Sequence, residues 1–435
     1  MFRVFRTLLF LIATISLLIT SLSCHRTPIE PEKIKANLIF EDALCTEAYL
    51  RLKLAYIDFP ANVDLYVDKN KVNSFRTFSE DTVIMVENLL PKKSYTGYVR
   101  IYPAGGGEIV SNEVSFTTMD TTSHYFTWQV FEFGNFGPSA LFDVAIINDN
   151  DIWAVGEIYV ADTSSTGYIM YNAVHWDGNK WELKQILYKN GFWPIRAVYA
   201  FNSNDIWFSG YMRYYNGRFI ELSIPDILIG WGIDKIWGTS SNDIYAVGNY
   251  GNIVHWDGRS WKKIESGTEF NINDIWGDYN FKENKWEVLS VCGNILRGWQ
   301  NDREIIEIQN NIAKKVNANN VQWPLSGIWF KSNKIYYVVG SGIYYNTLIG
   351  KNWVARPSDI TRYFIRTIRA NDINDVFAVG AFGEFLHFNG YNWKSFMDET
   401  FLSSGEFFSL SVKGNIVVAV GYNNRKGVIF IGKRK

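Results

Sequence analysis

One segment recurs seven times along the chain, and each copy is an aromatic-rich strand that ends in glycine. The clearest copies are NDIWAVG (150–156), NDIWFSG (204–210), NDIYAVG (242–248) and NDVFAVG (374–380). The terminal glycines of all copies are Gly156, Gly210, Gly248, Gly293, Gly340, Gly380 and Gly421. They lie 38 to 54 residues apart, which is the length of one propeller blade of four short strands. The spacing predicts an all-β chain with a seven-bladed β-propeller, or with six or eight blades if the weak copy near Trp286 is counted differently.

Tight turns and tryptophans mark the outer strands of the predicted blades. HWDG (175–178), HWDG (255–258) and HFNG (387–390) end in Asp-Gly or Asn-Gly, which favour two-residue hairpin turns because both central residues take positive φ. A tryptophan stands three residues after the glycine that ends each of these segments, at Trp181, Trp261 and Trp393. Trp353 holds the equivalent place in another repeat. We expect each of these tryptophans to open the fourth strand of its blade and to pack between blades.

The last repeat lacks one strand, and a matching strand precedes the first repeat. After the glycine-ended strand of the last repeat, the sequence shows only one further strand, at 427–432. Residues 126–131 (FTWQVF) resemble the fourth strand at 392–396 (NWKSF). We therefore expect residues 125–133 to form the outer strand of the seventh blade by pairing with 427–433. The propeller would then span 125–435 and have no open ring edge.

Residues 1–23 have the features of an export signal. Arg3 and Arg6 precede a short, uncharged and mostly apolar run that is too short for a membrane-spanning helix. The residues up to Cys24 (TSLSC) resemble the lipobox of bacterial lipoproteins, in which the cysteine thiol receives a diacylglycerol. An ordinary signal peptide is the alternative. The resemblance implies a lipid-anchored protein of the cell envelope, expected at the outer membrane and facing the periplasm or the exterior, with residues 24–33 as a tether.

Residues 34–119 carry the pattern of a small β-sandwich. Polar and apolar residues alternate at 48–54 and at 63–67, as in half-buried strands. The segment LLPKKSY, which ends at Tyr95, resembles the Leu-x-Pro-x-x-x-Tyr corner of fibronectin type III domains, whose Tyr hydroxyl bonds the backbone. The resemblance implies a fibronectin type III-like domain ahead of the propeller, with a spacing or adhesive role.

Composition and spacing argue against several functions. A formal net charge of −1 gives no basic patch for nucleic acid or acidic membranes, so membrane contact is expected through the lipid alone. His175, His255 and His387 occupy one place in three repeats, so we expect each to bond within its own blade. The sequence contains no phosphate-binding loop or nucleophile elbow. We therefore expect no metal, no cofactor and no catalytic residues.

Candidate binding residues come from the first strand of each repeat, which lines the central channel of a propeller. Its second position is predicted to hold Asp143, Arg196, Asp234, Asn273, Ser326, Arg366 and Phe408. Its fifth position is predicted to hold Ile146, Tyr199, Trp237, Trp276, Trp329, Arg369 and Ser411. Because side chains alternate along a strand, the sequence leaves open which set faces the channel. The candidate binding residues are Asp143, Arg196, Asp234, Arg366, Trp237, Trp276, Trp329 and Arg369.

The whole pattern resembles a group of uncharacterised bacterial β-propeller lipoproteins rich in Asn-Asp-Ile-Trp-Ala-Val-Gly repeats. The resemblance implies an envelope-anchored, non-catalytic binding or scaffolding module for a protein or for a glycan, since Trp rings suit sugar faces. Two alternatives stay open. One is a glycan-processing hydrolase or lyase, which needs two carboxyl groups about 5–10 Å apart for hydrolysis. The other is a purely structural component of the envelope.

Overall fold

The structure is a computed structural model, and it describes residues 35–188, 190–223, 232–295, 302–347, 349–356 and 359–435. The predicted signal peptide 1–23, the tether 24–33 and the lipidation residue Cys24 lie outside these residues. Strands dominate the described chain, which confirms the all-β prediction, and beside them stand a short helix (Met397–Thr400) and a 3-10 turn (Asn249–Gly251). Within the described ranges, no helix is both long and apolar enough to cross a bilayer.

The described chain forms two compact units, which are residues 35–43 with 47–118, and residues 44–46 with the chain from 119 onward. The first unit contains two antiparallel sheets around one apolar core. One sheet contains β1 (Lys35–Ala43), β2 (Ala48–Ala55) and β5 (Asp81–Val86). The other contains β3 (Ala61–Val67), β4 (Asn70–Thr77), β6 (Ser94–Tyr102), β7 (Ile109–Val110) and β8 (Val114–Thr117).

The core of the first unit follows from alternation along its strands. Every second residue of β2, including Leu50 and Leu52, is buried, as the period-two pattern predicts. Tyr95 is buried against Phe116, and its hydroxyl oxygen accepts a hydrogen bond from the Leu90 N–H at 2.7 Å. Tyr95 therefore has the structural role expected for it, while the fibronectin type III assignment stays a prediction.

The second unit contains seven four-stranded antiparallel sheets in the described chain. Sheet 1 contains β10 (Ala140–Asn148), β11 (Asp151–Ala161), β12 (Tyr168–Trp176) and β13 (Trp181–Lys184). Sheet 2 contains β14 (Val198–Asn202), β15 (Asp205–Phe208), β16 (Met212–Tyr215) and β17 (Arg218–Glu221). Sheet 3 contains β18 (Ile233–Ser240), β19 (Asp243–Gly248), β20 (Asn252–Trp256) and β21 (Trp261–Glu265). Sheet 4 contains β22 (Ile272–Asn280), β23 (Lys285–Cys292), β24 (Glu304–Gln309) and β25 (Ile312–Val316). Sheet 5 contains β26 (Leu325–Lys331), β27 (Ile335–Gly340), β28 (Gly342–Asn346) and β29 (Val354–Ala355). Sheet 6 contains β30 (Ile365–Asp372), β31 (Asp375–Gly380), β32 (Phe385–Phe388) and β33 (Trp393–Ser395). Sheet 7 contains β34 (Gly405–Lys413), β35 (Ile416–Asn423), β36 (Lys426–Arg434) and β9 (Phe126–Phe133).

The first strands of these sheets form a ring of contacts. Each of them contacts the first strand of the next sheet, from β10 through β14, β18, β22, β26 and β30 to β34, and β34 contacts β10 in turn. In sheet 7, β9 pairs with β36 along its whole length, from Phe126 opposite Arg434 to Phe133 opposite Gly427. Four-stranded sheets arranged in this way around a centre are the architecture of a β-propeller.

The repeated glycine has a steric cause. A Cβ atom placed on Gly380 would lie 2.0 Å from the Phe364 carbonyl oxygen, and one on Gly421 would lie 1.9 Å from the Glu406 carbonyl oxygen. In each case the carbonyl belongs to the first strand of the same sheet or to the residue just before it, where that strand approaches the end of the second strand. A side chain at these positions would collide with backbone, which has no room to move aside.

Three of the sheets contain the same His–Asp pair. The histidine Nε2 lies 2.9, 2.6 and 2.9 Å from the carboxylate of the repeated Asn-Asp segment, in the pairs His175–Asp151, His255–Asp243 and His387–Asp375. Each imidazole also stacks on the aromatic residue two positions after that aspartate. The prediction that each histidine bonds within its own repeat is therefore confirmed. Burial alone would raise the pKa of Asp375, but hydrogen bonds led by that from His387 lower it overall.

Candidate functional site

A β-bulge recurs at the second position of the first strands. The pairing between first and second strands skips one residue at this place in six of the described sheets, at Phe142, Asp234, Asn273, Ser326, Arg366 and Phe408. Arg196 holds the equivalent place in sheet 2, just ahead of β14. A bulge re-aims the side chain of the extra residue. All seven of these residues line one cavity of about 1300 Å³, here called the mouth.

The predicted alignment of the first repeat was wrong by one residue. Asp143 does not hold the second position, because the bulge opposite Val155 and Gly156 falls at Phe142. Ile146 does not hold the fifth position either. Ala145 holds it, because Ala145 pairs with Trp153, and the fifth-position residue of sheet 3 pairs with the aromatic residue equivalent to Trp153. Phe142 is itself apolar, like the residues that open the other repeats, and the sequence pattern therefore predicts it at the first position.

Asp143 belongs instead to a buried ion pair below the mouth. The Lys235 ammonium donates to one carboxylate oxygen of Asp143 at 2.6 Å, and the Ser409 hydroxyl donates to the same oxygen at 2.7 Å. The other oxygen accepts the Val198 N–H at 3.0 Å. Asp143 therefore joins four sheets, because its partners come from sheets 2, 3 and 7.

A second buried ion pair joins sheets 4 and 6. The Arg369 guanidinium donates two hydrogen bonds to Asp274, at 2.7 and 2.8 Å, and donates further to the Ile328 and Ile368 carbonyls. Asp274 also accepts the Ile328 N–H at 3.0 Å. Burial alone would lower the pKa of Arg369, but the adjacent Asp274 carboxylate raises it overall.

These two ion pairs form a layer between the mouth and a smaller cavity. The smaller cavity has a volume of about 160 Å³ and is lined by Trp237, Trp276 and Arg369 among others. Lys235 lines both cavities, so its side chain lies between them. Trp329 is buried in an apolar cluster with Tyr337. Of the eight predicted binding residues, only Arg196, Asp234 and Arg366 line the mouth.

The charged residues of the mouth differ in how they are paired. Arg366 donates to Glu406 through two nitrogens, at 2.8 and 3.0 Å. The Arg196 Nε lies 3.8 Å from Asp234 Oδ1, which is too long for a hydrogen bond, and 56% of the Arg196 side chain is exposed. Burial raises the pKa of Asp234 above its usual value, and Arg196 opposes that shift. Arg196 is thus held more loosely than Arg366.

Sequence reasoning missed the part of the mouth formed by loops. These residues are Asn249, Tyr250, Glu269, Phe270, Asn271, Asn294, Ile295 and Asp302. Several of them directly follow the terminal glycines of sheets 3 and 4, which end beside the bulges. Their place directly after a terminal glycine is the sequence signal that could have identified them, because the residues that follow such a glycine emerge at the mouth. Tyr250 has φ +57° and is 79% exposed.

The described residues contain no group of three His, Cys, Asp or Glu side chains placed to hold a metal ion. The mouth is lined by charged, amide and aromatic side chains. A cavity that combines such groups can bind a ligand through hydrogen bonds, ion pairs and stacking.

The sheets and their ring of contacts define a β-propeller, and the comparisons with known proteins agree. No protein-family model matches the chain, and no curated protein sequence matches it significantly. A structure described as YCF48 bound to D1 peptide is 13% identical, covers 72% of this chain and 99% of its own, and has a TM-score of 0.53. YCF48 from Cyanidioschyzon merolae is 14% identical, covers 71% and 98%, and has a TM-score of 0.50. The WD40 β-propeller domain of Doa1 is 11% identical, covers 72% and 98%, and has a TM-score of 0.48. The likeness to the two YCF48 structures shows the fold alone, and it confirms the predicted β-propeller.

Proposed function

We propose that this chain is a non-catalytic binding module whose propeller holds an extended segment of a protein partner in the mouth. The observation that carries this proposal is the convergence of seven equivalent residues, six of them at bulges, on one cavity. Packing alone would keep equivalent positions alike, yet these seven differ in charge, size and polarity. The peptide named in the YCF48 structure supports the idea that a propeller of this kind can hold a peptide.

The dimensions of the mouth favour a peptide over a small molecule. Its volume of about 1300 Å³ exceeds the roughly 300–1000 Å³ of ordinary small-molecule pockets. Its floor contains the ion pairs Lys235–Asp143 and Arg369–Asp274, which hold the inner strands in place. A ligand would therefore enter and leave from one side and lie across the opening.

We expect Tyr250→Ala to weaken peptide binding by about tenfold, because an aromatic side chain at a binding surface commonly contributes about 1.4 kcal/mol or more. Peptides would be selected from a random library on the purified full chain and measured by fluorescence anisotropy. Phe281→Ala is the matched control, since Phe281 is 83% exposed against 79% for Tyr250 but follows the far end of β22. Equal binding by the two variants, or selection of glycans but of no peptides, would contradict the proposal.

We further propose the finer architecture expected from the sequence. The seven sheets would be the blades of one closed ring, with 125–133 and 427–433 joining its two ends. Continuous pairing of β9 with β36 supports this closure. The first unit would be a fibronectin type III-like domain that holds the propeller away from its anchor. The Tyr95 hydrogen bond at the Leu90 backbone supports that assignment.

We also propose that Cys24 carries the lipid that anchors the protein in the cell envelope. The support is the sequence of residues 1–24 alone, which lies outside the described part of the chain. Acyl chains contribute about 0.8 kcal/mol for each buried methylene, so two or three chains would anchor the protein stably. The outer membrane is the proposed location.

We expect Cys24→Ala to abolish incorporation of a clickable palmitate analogue and to move the protein out of the membrane fraction. The measurement is labelling of expressing bacterial cells, followed by fractionation and blotting. Cys45→Ala and Cys292→Ala are the controls, because both thiols are buried in the folded chain and should leave labelling unchanged. Full labelling of the Cys24→Ala protein would rule out the anchor at this residue.

A further inference from the structure

One wall of the mouth is a continuous row of cationic and aromatic side chains. The Arg196 guanidinium lies 4.9 Å from the Phe142 ring centre, and the Phe142 and Phe408 ring centres are 5.7 Å apart. The Arg366 guanidinium lies 5.6 Å from the Phe408 ring centre. These four residues, here called the aromatic arc, come from sheets 2, 1, 7 and 6, which are consecutive around the ring.

The two ends of the aromatic arc differ in their capacity to bind an anion. Glu406 already accepts two hydrogen bonds from Arg366, and that pair is largely buried. Within the described part of the chain, Arg196 lies 3.8 Å from Asp234 and 4.9 Å from the Phe142 ring centre, and its side chain is mostly exposed. A guanidinium in this state presents its fork of N–H groups to a carboxylate. Arg196 is therefore the end of the arc that is better able to pair with a ligand carboxylate.

The bulge residues of sheets 3 to 5 continue the lining of the mouth beyond Arg196 and offer little apolar surface. They are the short polar side chains Asp234, Asn273 and Ser326, and the loops beyond them add Glu269 and Asp302. A ligand carboxylate is thus directed toward the aromatic arc by attraction on one side and repulsion on the other.

We propose that the aromatic arc recognises an acidic side chain adjacent to an aromatic or large aliphatic side chain in the partner segment. The carboxylate would pair with Arg196, and the apolar side chain would pack on Phe142 and Phe408. Flat rings in contact at 5.7 Å offer a surface on which another ring stacks in an offset or edge-on arrangement. This inference rests on the proposed peptide-binding function and adds the chemistry that the mouth selects.

The test uses the purified full chain and three fluorescent peptides of equal length in one neutral scaffold. Their central pairs are Glu-Phe, Gln-Phe and Glu-Gly, and binding is measured by anisotropy. We expect the Glu-Phe peptide to bind at least about tenfold more tightly than either of the others, with an advantage over Gln-Phe that shrinks as salt is raised. Arg196→Gln should remove the preference for Glu over Gln and leave the preference for Phe over Gly. Arg218→Gln is the control, because Arg218 is an exposed arginine on β17 of the same sheet.

The outcomes separate this inference from the function on which it rests. Loss of the Glu preference in Arg196→Gln alone supports the arc as the recognition element. Peptides that bind and are weakened by Tyr250→Ala, but show no preference for Glu, overturn the inference and leave peptide binding in the mouth intact. If neither these peptides nor those of a random library bind, both proposals are overturned.

Discussion

Arg369→Met is expected to lower the free energy of unfolding of the propeller unit by about 3–5 kcal/mol, the usual cost of breaking a buried ion pair by removing one partner. The Arg369 and Asp274 side chains are only 9% and 2% exposed. Without the guanidinium, the Asp274 carboxylate would keep only backbone hydrogen bonds in a place that water reaches poorly. The loss is larger than that of an ordinary core truncation because a charge is left uncompensated.

Tryptophan fluorescence in a urea titration measures this loss in the correct unit. All seventeen tryptophans lie between Trp128 and Trp393, so the signal reports the second unit and not the first. Adding Asp274→Asn to Arg369→Met should recover part of the stability, because Asn removes the charge and keeps an acceptor for the Ile328 N–H. Lys426→Met is the control for an exposed pair with Glu132 and should change the midpoint little. An unchanged midpoint for Arg369→Met would refute a buried role for the pair.

The β-propeller could be predicted because its signals are local and repeated. Five of the seven terminal glycines are required by a close backbone contact within their own sheet, as at Gly380 and Gly421, so the requirement recurs in most repeats. The Asp-Gly and Asn-Gly turns are likewise set by the two residues that form them. The histidines could be interpreted for the same reason, since a residue that recurs with the repeat has its partner in that repeat.

The site was predicted less well because a bulge breaks the alternation of side chains. Along a regular strand, the second and the third positions would face opposite sides. The extra residue at Phe142 or Asp234 instead enters the mouth, while Asp143 and Lys235 at the next position also face the channel at a deeper level. Neither the second-position residues nor the fifth-position residues are therefore the single set that faces the channel. Trp329, a fifth-position residue, lies in the core.

The pairs that cross the channel could not be predicted from the sequence. Arg369 and Asp274 are 95 residues apart, and each breaks the repeat at its own position. Equivalent places in other sheets hold residues as different as Gly327 and Ser411. Departure from the repeat marked Arg369 as special, but only the folded ring shows that its partner is two sheets away.

Removing β9 is expected to have the largest effect on the propeller. Two truncated chains would be compared, one beginning at residue 120 and one at residue 135. Both lack the first unit and residues 44–46, and the second also lacks residues 120–134, which include β9. The deletion strips β36 of its partner along eight paired positions. It also removes Trp128, whose ring lies 4.8 Å from that of Phe385 and 5.2 Å from that of Phe396.

The expected loss is on the order of the whole stability of a domain. Four aromatic residues of β9 are partly buried, Phe126, Trp128, Phe131 and Phe133, and at about 1–2 kcal/mol each they contribute several kcal/mol before any hydrogen bond is counted. Native domains are stable by only about 5–15 kcal/mol. The chain beginning at 135 should therefore lose its cooperative thermal transition, while the chain beginning at 120 keeps it. A synthetic peptide of residues 125–134, added in excess, should restore part of the transition by binding the open edge of β36. Equal melting of the two chains would show that β36 does not need this strand, and the proposed closure of the ring would then fail.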